Sequence, residues 1–218
     1  MKGEHENFFL NSKFMYTGII HYQATVSNIK KQQNNNILLS FGVPAQVRKR
    51  LHVDDSVLID GVCLTVIALS KNGFSAEVMP ETLLLSTLSS LKQSWQANLE
   101  LSLRGSDTLG GHFVMGHVDG VGTVVKLEQD GGSVRMSIQV PKELMPYIAK
   151  KGSIAMNGVS LTITNVSQNT FEVALIPHTL AKTNLDTLLK GSTVNIEIDT
   201  FARIIGQFLK QRYTKKTY

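Results

Sequence analysis

Cysteine is almost missing from this chain. Cys63 is the only one in 218 residues. No disulfide can close within the chain, and a reducing compartment is its natural setting. Metal sites built on cysteine pairs are excluded for the same reason. Long apolar runs are missing too, so no segment reads as a membrane span. The stretch Phe8-Phe9-Leu10 is too short for a signal-peptide core. A cytoplasmic protein is therefore expected. Charged residues make up 18% and the net charge is only +5. Part of that excess sits in Lys210, Arg212, Lys215 and Lys216 at the end, where a solvated terminus accounts for it. There is no aromatic-rich basic face of the kind that grips single-stranded nucleic acid, so no nucleic-acid partner is expected.

A hydrophobic content of 42% fits an ordered globular protein. The length allows one large domain or two small ones. A repeat decides for two. Gly61-Val62-Cys63-Leu64-Thr65 returns as Gly158-Val159-Ser160-Leu161-Thr162. Phe74 matches Phe171, Pro80 matches Pro177, and Asn98-Leu99-Glu100 matches Asn195-Ile196-Glu197, all at an offset of 97 (171 − 74). Earlier, Gly18 matches Gly116 and Thr25-Val26 matches Thr123-Val124, at an offset of 98 (116 − 18). One residue has been lost or gained in between, in the polar turn of Lys30 to Asn36. A constant offset held through whole strands marks a duplication.

Within each copy the pattern is mostly strand. Tyr16 onward is β-branched, with Ile19, Ile20, Thr25, Val26 and Ile29. Ile37 to Phe41 reads as a strand, Pro44 to Leu51 as a short helix. Ser56 to Leu69 is a long β-prone run bent at Gly61. Asn72-Gly73 is a tight turn, and Phe74 to Met79 alternates until Pro80. Glu81 to Leu91 reads as a short helix, and Asn98 to Leu103 as the last strand. The central Gly110 to Gly120, with His112 and His117, reads as the opening strand of the second copy. Short strands with frequent turns argue for closed barrels rather than open sheets with bare edges. Asp199 to Leu209 is different: Phe201, Ile204, Ile205 and Phe208 form an apolar stripe at helical spacing, absent from the first copy. It packs either on its own barrel or against sister helices. Residues 1–14 have no clear period and form an extension.

A duplicated barrel implies a duplicated pocket, so the positions where the copies differ carry the information. Cys63 aligns with Ser160, Glu81 with His178, and Ile19 with His117. On this reading the first copy presents Cys, Glu and Ile, and the second Ser, His and His. His117 is the candidate proton carrier, because imidazole titrates near neutral pH. His112 reads as structural, bonded to a backbone carbonyl. His112 and His117 lack a third ligand nearby, so no metal is expected. The glycines do not follow the strand–loop–helix order of a phosphate-binding fingerprint, which argues against a nucleotide cofactor.

These pieces resemble one family. Met15-Tyr16-Thr17-Gly18-Ile19-Ile20, Gly61 to Thr65, Met79-Pro80-Glu81-Thr82-Leu83, Leu109 to Gly120, Gly158 to Thr162 and Ile176-Pro177-His178-Thr179-Leu180 are similar, in order and spacing, to riboflavin synthases of the α-subunit type. The resemblance implies an all-β fold of two tandem six-stranded Greek-key antiparallel barrels with a C-terminal α-helix. The domains would be an N-terminal extension (1–14), a first lumazine-binding barrel (15–111), a second (112–200), and an oligomerisation helix and tail (201–218). It implies dismutation of two molecules of 6,7-dimethyl-8-ribityllumazine to riboflavin and 5-amino-6-ribitylamino-uracil, without cofactor or metal, in a homotrimer whose sites form between neighbouring subunits. By motif, His117, Cys63, Ser160 and Thr162 resemble the catalytic residues. Gly18, Ile19, Ile20, Leu64, Thr65, Glu77, Val78, Met79, Pro80, Glu81, Thr82, Gly116, Val118, Lys151, Leu161, Ile176, Pro177, His178 and Thr179 resemble the substrate-binding set. The chain departs from the family in places: Tyr16 stands for the usual phenylalanine, Met115 for serine and Thr108 for arginine, and His21-Tyr22-Gln23-Ala24 lacks the glycine common in that turn. The alternative is a non-catalytic lumazine- or flavin-binding protein of the same fold; those relatives usually lose the Gly-Gly-His and Gly-His stretch, which is intact here.

Overall fold

The computed structural model describes residues 15–33 and 35–214. The extension 1–14 and the lysines at 215 and 216 lie outside the described residues. The first half runs β1 (Tyr22–Lys31), β2 (Ile37–Gly42), α1 (Ala45–Arg48), β3 (Ser56–Ile59), β4 (Val62–Ser70), β5 (Gly73–Val78), α2 (Pro80–Leu85) and β6 (Gln96–Leu101). The second half repeats it as β7 (Gly120–Asp130), β8 (Ser133–Gln139), β9 (Ser153–Met156), β10 (Val159–Val166), β11 (Thr170–Leu175), α3 (Pro177–Lys182) and β12 (Thr193–Ile198), and α4 (Thr200–Thr214) follows.

Each half is a closed six-stranded antiparallel barrel. The strand order is β1-β2-β5-β4-β3-β6 in the first and β7-β8-β11-β10-β9-β12 in the second. Closure leaves neither barrel with an unpaired edge. Even the irregularities repeat. β1 is bulged between Val26 and Asn28, and β7 between Val124 and Lys126. The missing residue falls where the offsets place it: Lys31 pairs with Ile37 across the first hairpin, while the equivalent Gln129 pairs with Val134, one residue nearer in sequence.

Three expectations change. The run Ser56 to Leu69 is two strands, turned at Asp60-Gly61. The helix expected over Glu81 to Leu91 is α2 followed by a separate 3-10 turn, Thr87–Ser90, because Ser86 is extended (φ −134°) and caps the second piece by accepting the N–H of Leu88. The third concerns the opening strands. β1 starts only at Tyr22 and β7 only at Gly120, and before them Tyr16 and Val114 form a lone antiparallel bridge with each other. Gly18 and Gly116 both sit at φ +74°, which breaks the extended chain.

The cores are filled by alternate side chains, as period-2 strands require. Phe41 and Phe74 stack at 5.1 Å inside the first barrel. Ile20, however, lies in the core of the second barrel, and Val118 packs on that of the first. Each half therefore sends its opening segment across to close its neighbour.

The barrels are joined by a pseudo-symmetric polar network. Asn98 Nδ2 donates to the Asn157 carbonyl at 3.0 Å, and Asn195 Nδ2 to the Asp60 carbonyl at 2.7 Å. The N–H of Asn184 donates to Asn98 Oδ1 and that of Thr87 to Asn195 Oδ1, both at 2.7 Å. Asp60 Oδ1 accepts from the Asn98 N–H and from Asn184 Nδ2, each at 2.8 Å. Burial nevertheless pushes its carboxyl up to about 7.

Helix α4 lies on the second barrel through small residues. Ala202 packs against that core, and a Cβ at Gly206 would fall 2.4 Å from the Tyr147 ring. Lys210 Nζ then donates to the Tyr147 hydroxyl at 2.9 Å. Most of the expected stripe points elsewhere: Phe201, whose ring meets Phe113 edge-on at 5.7 Å, Ile204, Ile205 and Phe208 are 46–70% exposed. No described helix is long and apolar enough to cross a membrane.

Candidate active site

The site strands are β4 and β10. Val62, Leu64 and Val66 face inward, so Cys63 and Thr65 must face out; Ser160 and Thr162 do the same on β10. Over each of these strands lies the opening segment of the other half. The N–H of Cys63 donates to the Gly116 carbonyl at 3.0 Å, and that of Ser160 to the Gly18 carbonyl at 2.8 Å. Glycine is required at both crossings. A Cβ on Gly116 would sit 2.5 Å from Cys63 Cβ, and one on Gly18 would sit 2.6 Å from Ser160 Cβ.

Buried carboxylates hold the crossings in place. Glu100 accepts from the Thr17 and Gly18 amides at 2.8 and 2.9 Å, and from the Thr17 hydroxyl at 2.7 Å. Glu197 accepts from the Met115 and Gly116 amides at 2.7 and 2.9 Å. Met115 thus enters the site through its backbone, with a half-buried side chain. Desolvation raises both carboxyls, that of Glu197 to about 7.

The crossing overturns the sorting expected from the aligned copies. His117 does not join Ser160 and His178. It lines a cavity of about 230 Å³ with Val62, Cys63, Glu81, Thr82, Leu85, Ser86, Gly116 and Val118, all of them except its own segment from the first half. Ile19, by the same exchange, belongs to the segment over Ser160. One site therefore brings together thiol, carboxylate and imidazole. The next residue after Val118, Asp119, accepts from the Ile198 N–H at 2.8 Å and from Arg203 Nη2 of α4 at 2.7 Å. Burial raises the Asp119 carboxyl, with Arg203 and His117 opposing.

Two partners were not visible in the sequence. Tyr16, fully buried, places its hydroxyl 3.1 Å from Cys63 Sγ. His112 Nδ1 lies 2.7 Å from Ser160 Oγ, so its partner is a hydroxyl and not the expected backbone carbonyl. Burial lowers the His112 pKa, and nearby Asp199 works against that. An uncharged imidazole suits a hydrogen bond to a serine hydroxyl. Periodicity gives no signal for either pair, since both join residues 47 or 48 apart through the crossed segments.

The remaining expected residues divide by orientation. Thr65, Thr162, Met79, Pro80, Glu81, Ile176, Pro177 and His178 are exposed, and Thr82 and Thr179 half-buried, on or beside the outer faces and the first turns of α2 and α3. Lys151 is exposed at φ +71°, next to the strand pair Ser153–Thr162. Ile20, Leu64, Val78 and Leu161 differ: their side chains are at most 8% exposed within the barrel cores, so only their main chain can meet a ligand. Alternation forces this, because each is the neighbour of an outward residue. Glu77 accepts from Asn36 Nδ2 at 2.9 Å and faces a hollow with Lys30 and Lys31, apart from the Cys63 cavity. Thr108 lines a larger hollow, about 420 Å³, with Arg50, His21, Ile19 and Asp107. Among the described residues, no three His, Cys, Asp or Glu side chains are grouped to hold a metal.

The Lumazine binding domain family matches this chain twice, over residues 17–102 and 115–199. The riboflavin synthase of Brucella abortus (strain 2308) is 41% identical over 194 residues, covering 87% of this chain and 95% of that protein. That of Actinobacillus pleuropneumoniae is 37% identical over 198 residues, covering 91% of each. Among solved structures, LumP complexed with riboflavin superposes with a TM-score of 0.78 at 25% identity, and LumP complexed with 6,7-dimethyl-8-(1'-D-ribityl) lumazine with 0.76 at 24%; each covers 84% of this chain and 98% of that one. The tandem match and the full-length relatives agree with the doubled barrel and its doubled site: this chain belongs to the riboflavin synthases, transferase-type enzymes built from two lumazine-binding barrels.

Proposed function

We propose that the chain converts two molecules of 6,7-dimethyl-8-ribityllumazine into one of riboflavin and one of 5-amino-6-ribitylamino-uracil. The four carbons lost by one lumazine are gained by the other, so the exchange balances without an added oxidant or cofactor. The observation that carries the reading is the pair of equivalent but unlike sites. Cys63 with Tyr16, Glu81 and His117 makes one; Ser160 with His112 and the Ile19 segment makes the other. One substrate bound twice, once as donor and once as acceptor, needs two sites of one shape and different chemistry.

In this reading His117 moves a proton of the 7-methyl group, whose carbanion is delocalised into the ring. Cys63, Ser160, Thr65 and Thr162 face the ring carbons, and Lys151 meets a ribityl chain. Thr82, Glu81, His178 and Thr179 complete the walls. Holding two rings in register supplies much of the rate, on the order of 7–11 kcal/mol for a well-oriented pair. The chain acts as a cytoplasmic homotrimer, with the exposed stripe of α4 packed against its copies and each reaction centre formed where the first barrel of one subunit meets the second barrel of another.

LumP, solved with lumazine and with riboflavin, motivates a second reading: a binder that performs no turnover. Incubating the protein with the lumazine and following riboflavin absorbance separates the two. Appearance of riboflavin supports the proposal; tight binding with no conversion supports the binder.

A further inference from the structure

Helix α4 touches the segment that carries His117 on both sides of the histidine. Before it, the Phe113 ring meets Phe201 at 5.7 Å. After it, Arg203 Nη2 donates to Asp119 Oδ2 at 2.7 Å and reaches toward the Ile198 carbonyl at 3.5 Å. Asp119 is itself tied to the barrel. Its N–H donates to the Ile196 carbonyl at 2.8 Å, and the same Oδ2 accepts the Ile198 N–H at 2.8 Å. Both partners of the ion pair are partly buried, so solvent ions screen it less than an exposed pair. Arg203 Nε is buried without a partner among the described residues, a cost that the ion pair has to outweigh. The first barrel closes without such a clasp. An offset of 98 sets His21 against Asp119 (119 − 98), and one of 97 sets Ser106 against Arg203 (203 − 97). His21 and Ser106 are both exposed, yet the strand order of the two barrels is the same.

From this placement we infer that Arg203 is a positioning residue: through Asp119 it locks the chain just after His117, so that the seating of α4 on the second barrel sets how the imidazole enters the Cys63 cavity. Glu197 holds the chain just before the histidine, by accepting the Met115 and Gly116 amides. His117 therefore hangs between two carboxylate anchors, and only the second is tied to α4. The acid and the base stand in the copy whose opening segment brings a histidine to that cavity. The helix that has no counterpart in the first copy is in this way part of the site. The consequence for turnover rests on the function proposed above; the effect on the placement of the imidazole does not.

The test has one readout without lumazine and one with it. In the free protein, imidazole NMR resolves the histidines, six in the whole chain, and the His117 signal is the one lost in His117→Gln. Arg203→Ala should shift or broaden that signal. Arg203→Lys should return it toward the wild-type position, because Asp119 takes a single N–H donor from Arg203. With 6,7-dimethyl-8-ribityllumazine, Arg203→Ala should lower turnover roughly tenfold to a hundredfold while affinity stays within a few-fold, and Arg203→Lys should recover most of the loss. Asp119→Asn keeps an acceptor for the Ile198 N–H and removes the charge, so it should move the His117 signal as Arg203→Ala does. Adding Arg203→Ala to it should cost little more, since the pair acts as one unit. Should Arg203→Ala fail to fold, Asp119→Asn and Arg203→Lys make the same comparison. A His117 signal that Asp119→Asn leaves in place overturns the inference. So do independent losses in the double variant, and so do parallel losses of turnover, affinity and thermal stability that lysine does not restore. If the signal moves as expected but even the wild-type protein forms no riboflavin, the proposed function falls and the positioning role of Arg203 stands.

Discussion

The carbonyl of Gly116 accepts the N–H of Cys63 at 3.0 Å, although the two residues come from different halves of a duplicated chain. The mirror bond joins Gly18 to Ser160 at 2.8 Å. Together they make each site a joint product of both halves. Gly116→Ala should therefore damage the site more than an ordinary surface change. The added Cβ meets Cys63 Cβ at 2.5 Å, and φ +74° is a strained angle for alanine. We expect a loss of about 1–3 kcal/mol of stability in denaturant titration, and riboflavin formation reduced by more than the unfolded fraction explains.

Replacing His117 with Gln should slow turnover by roughly 10²–10⁴-fold while leaving lumazine affinity within a few-fold. Steady-state rates and fluorescence titration read the two quantities separately. Equal losses in both would mean that His117 serves the pocket's shape rather than proton transfer.

Asp60 links stability to pH. Its carboxyl is raised from 3.8 to about 7 in the folded state. A raised folded value means that folding favours the protonated form. The stabilisation is complete below the unfolded value and is lost as pH rises through about 7. The thermal midpoint should fall between pH 5 and pH 8, and Asp60→Asn should flatten that fall. An amide already occupies the equivalent place, where Asn157 Oδ1 accepts the Asn195 N–H at 2.8 Å. The readout is that slope and not the absolute stability, because the amide nitrogen of the variant cannot accept the hydrogen bond that Trp95 Nε1 gives Asp60 Oδ2 at 3.3 Å. An unchanged pH slope would show that Asp60 stays ionised throughout.

Helix α4 predicts the assembly state. Its Ala202 and Gly206 side meets the barrel, while Phe208 stays 70% exposed among the described residues. If the proposed trimer forms through this stripe, Phe208→Glu should leave each barrel folded, judged by an unchanged near-ultraviolet spectrum, and shift sedimentation from trimer to monomer. A trimer that persists would place the subunit contact elsewhere.

Much of this was legible in the residues. The offsets of 97 and 98 gave the duplication, and the change between them located the shortened hairpin at Gln129 and Val134. The spacing of Phe201, Ile204, Ile205 and Phe208 gave α4. What the sequence hid was the exchange of opening segments. Aligning the copies put His117 with Ser160, because alignment assumes that equivalent residues serve their own barrel. Contacts between segments 47 or more residues apart leave no periodic trace, so Tyr16–Cys63 and His112–Ser160 emerged only from the fold. The inward turn of Leu64 and Leu161 was readable from alternation alone, since Cys63 and Ser160 beside them must face out.

In the proposed reaction two lumazines react with each other. The most direct measurement is stoichiometry: purified protein and 6,7-dimethyl-8-ribityllumazine alone, with both products quantified by chromatography as the lumazine disappears. Two lumazines should be consumed for each riboflavin formed, with one equivalent of 5-amino-6-ribitylamino-uracil. Lumazine that stays bound and unconsumed, or riboflavin formed without the second product, would contradict it.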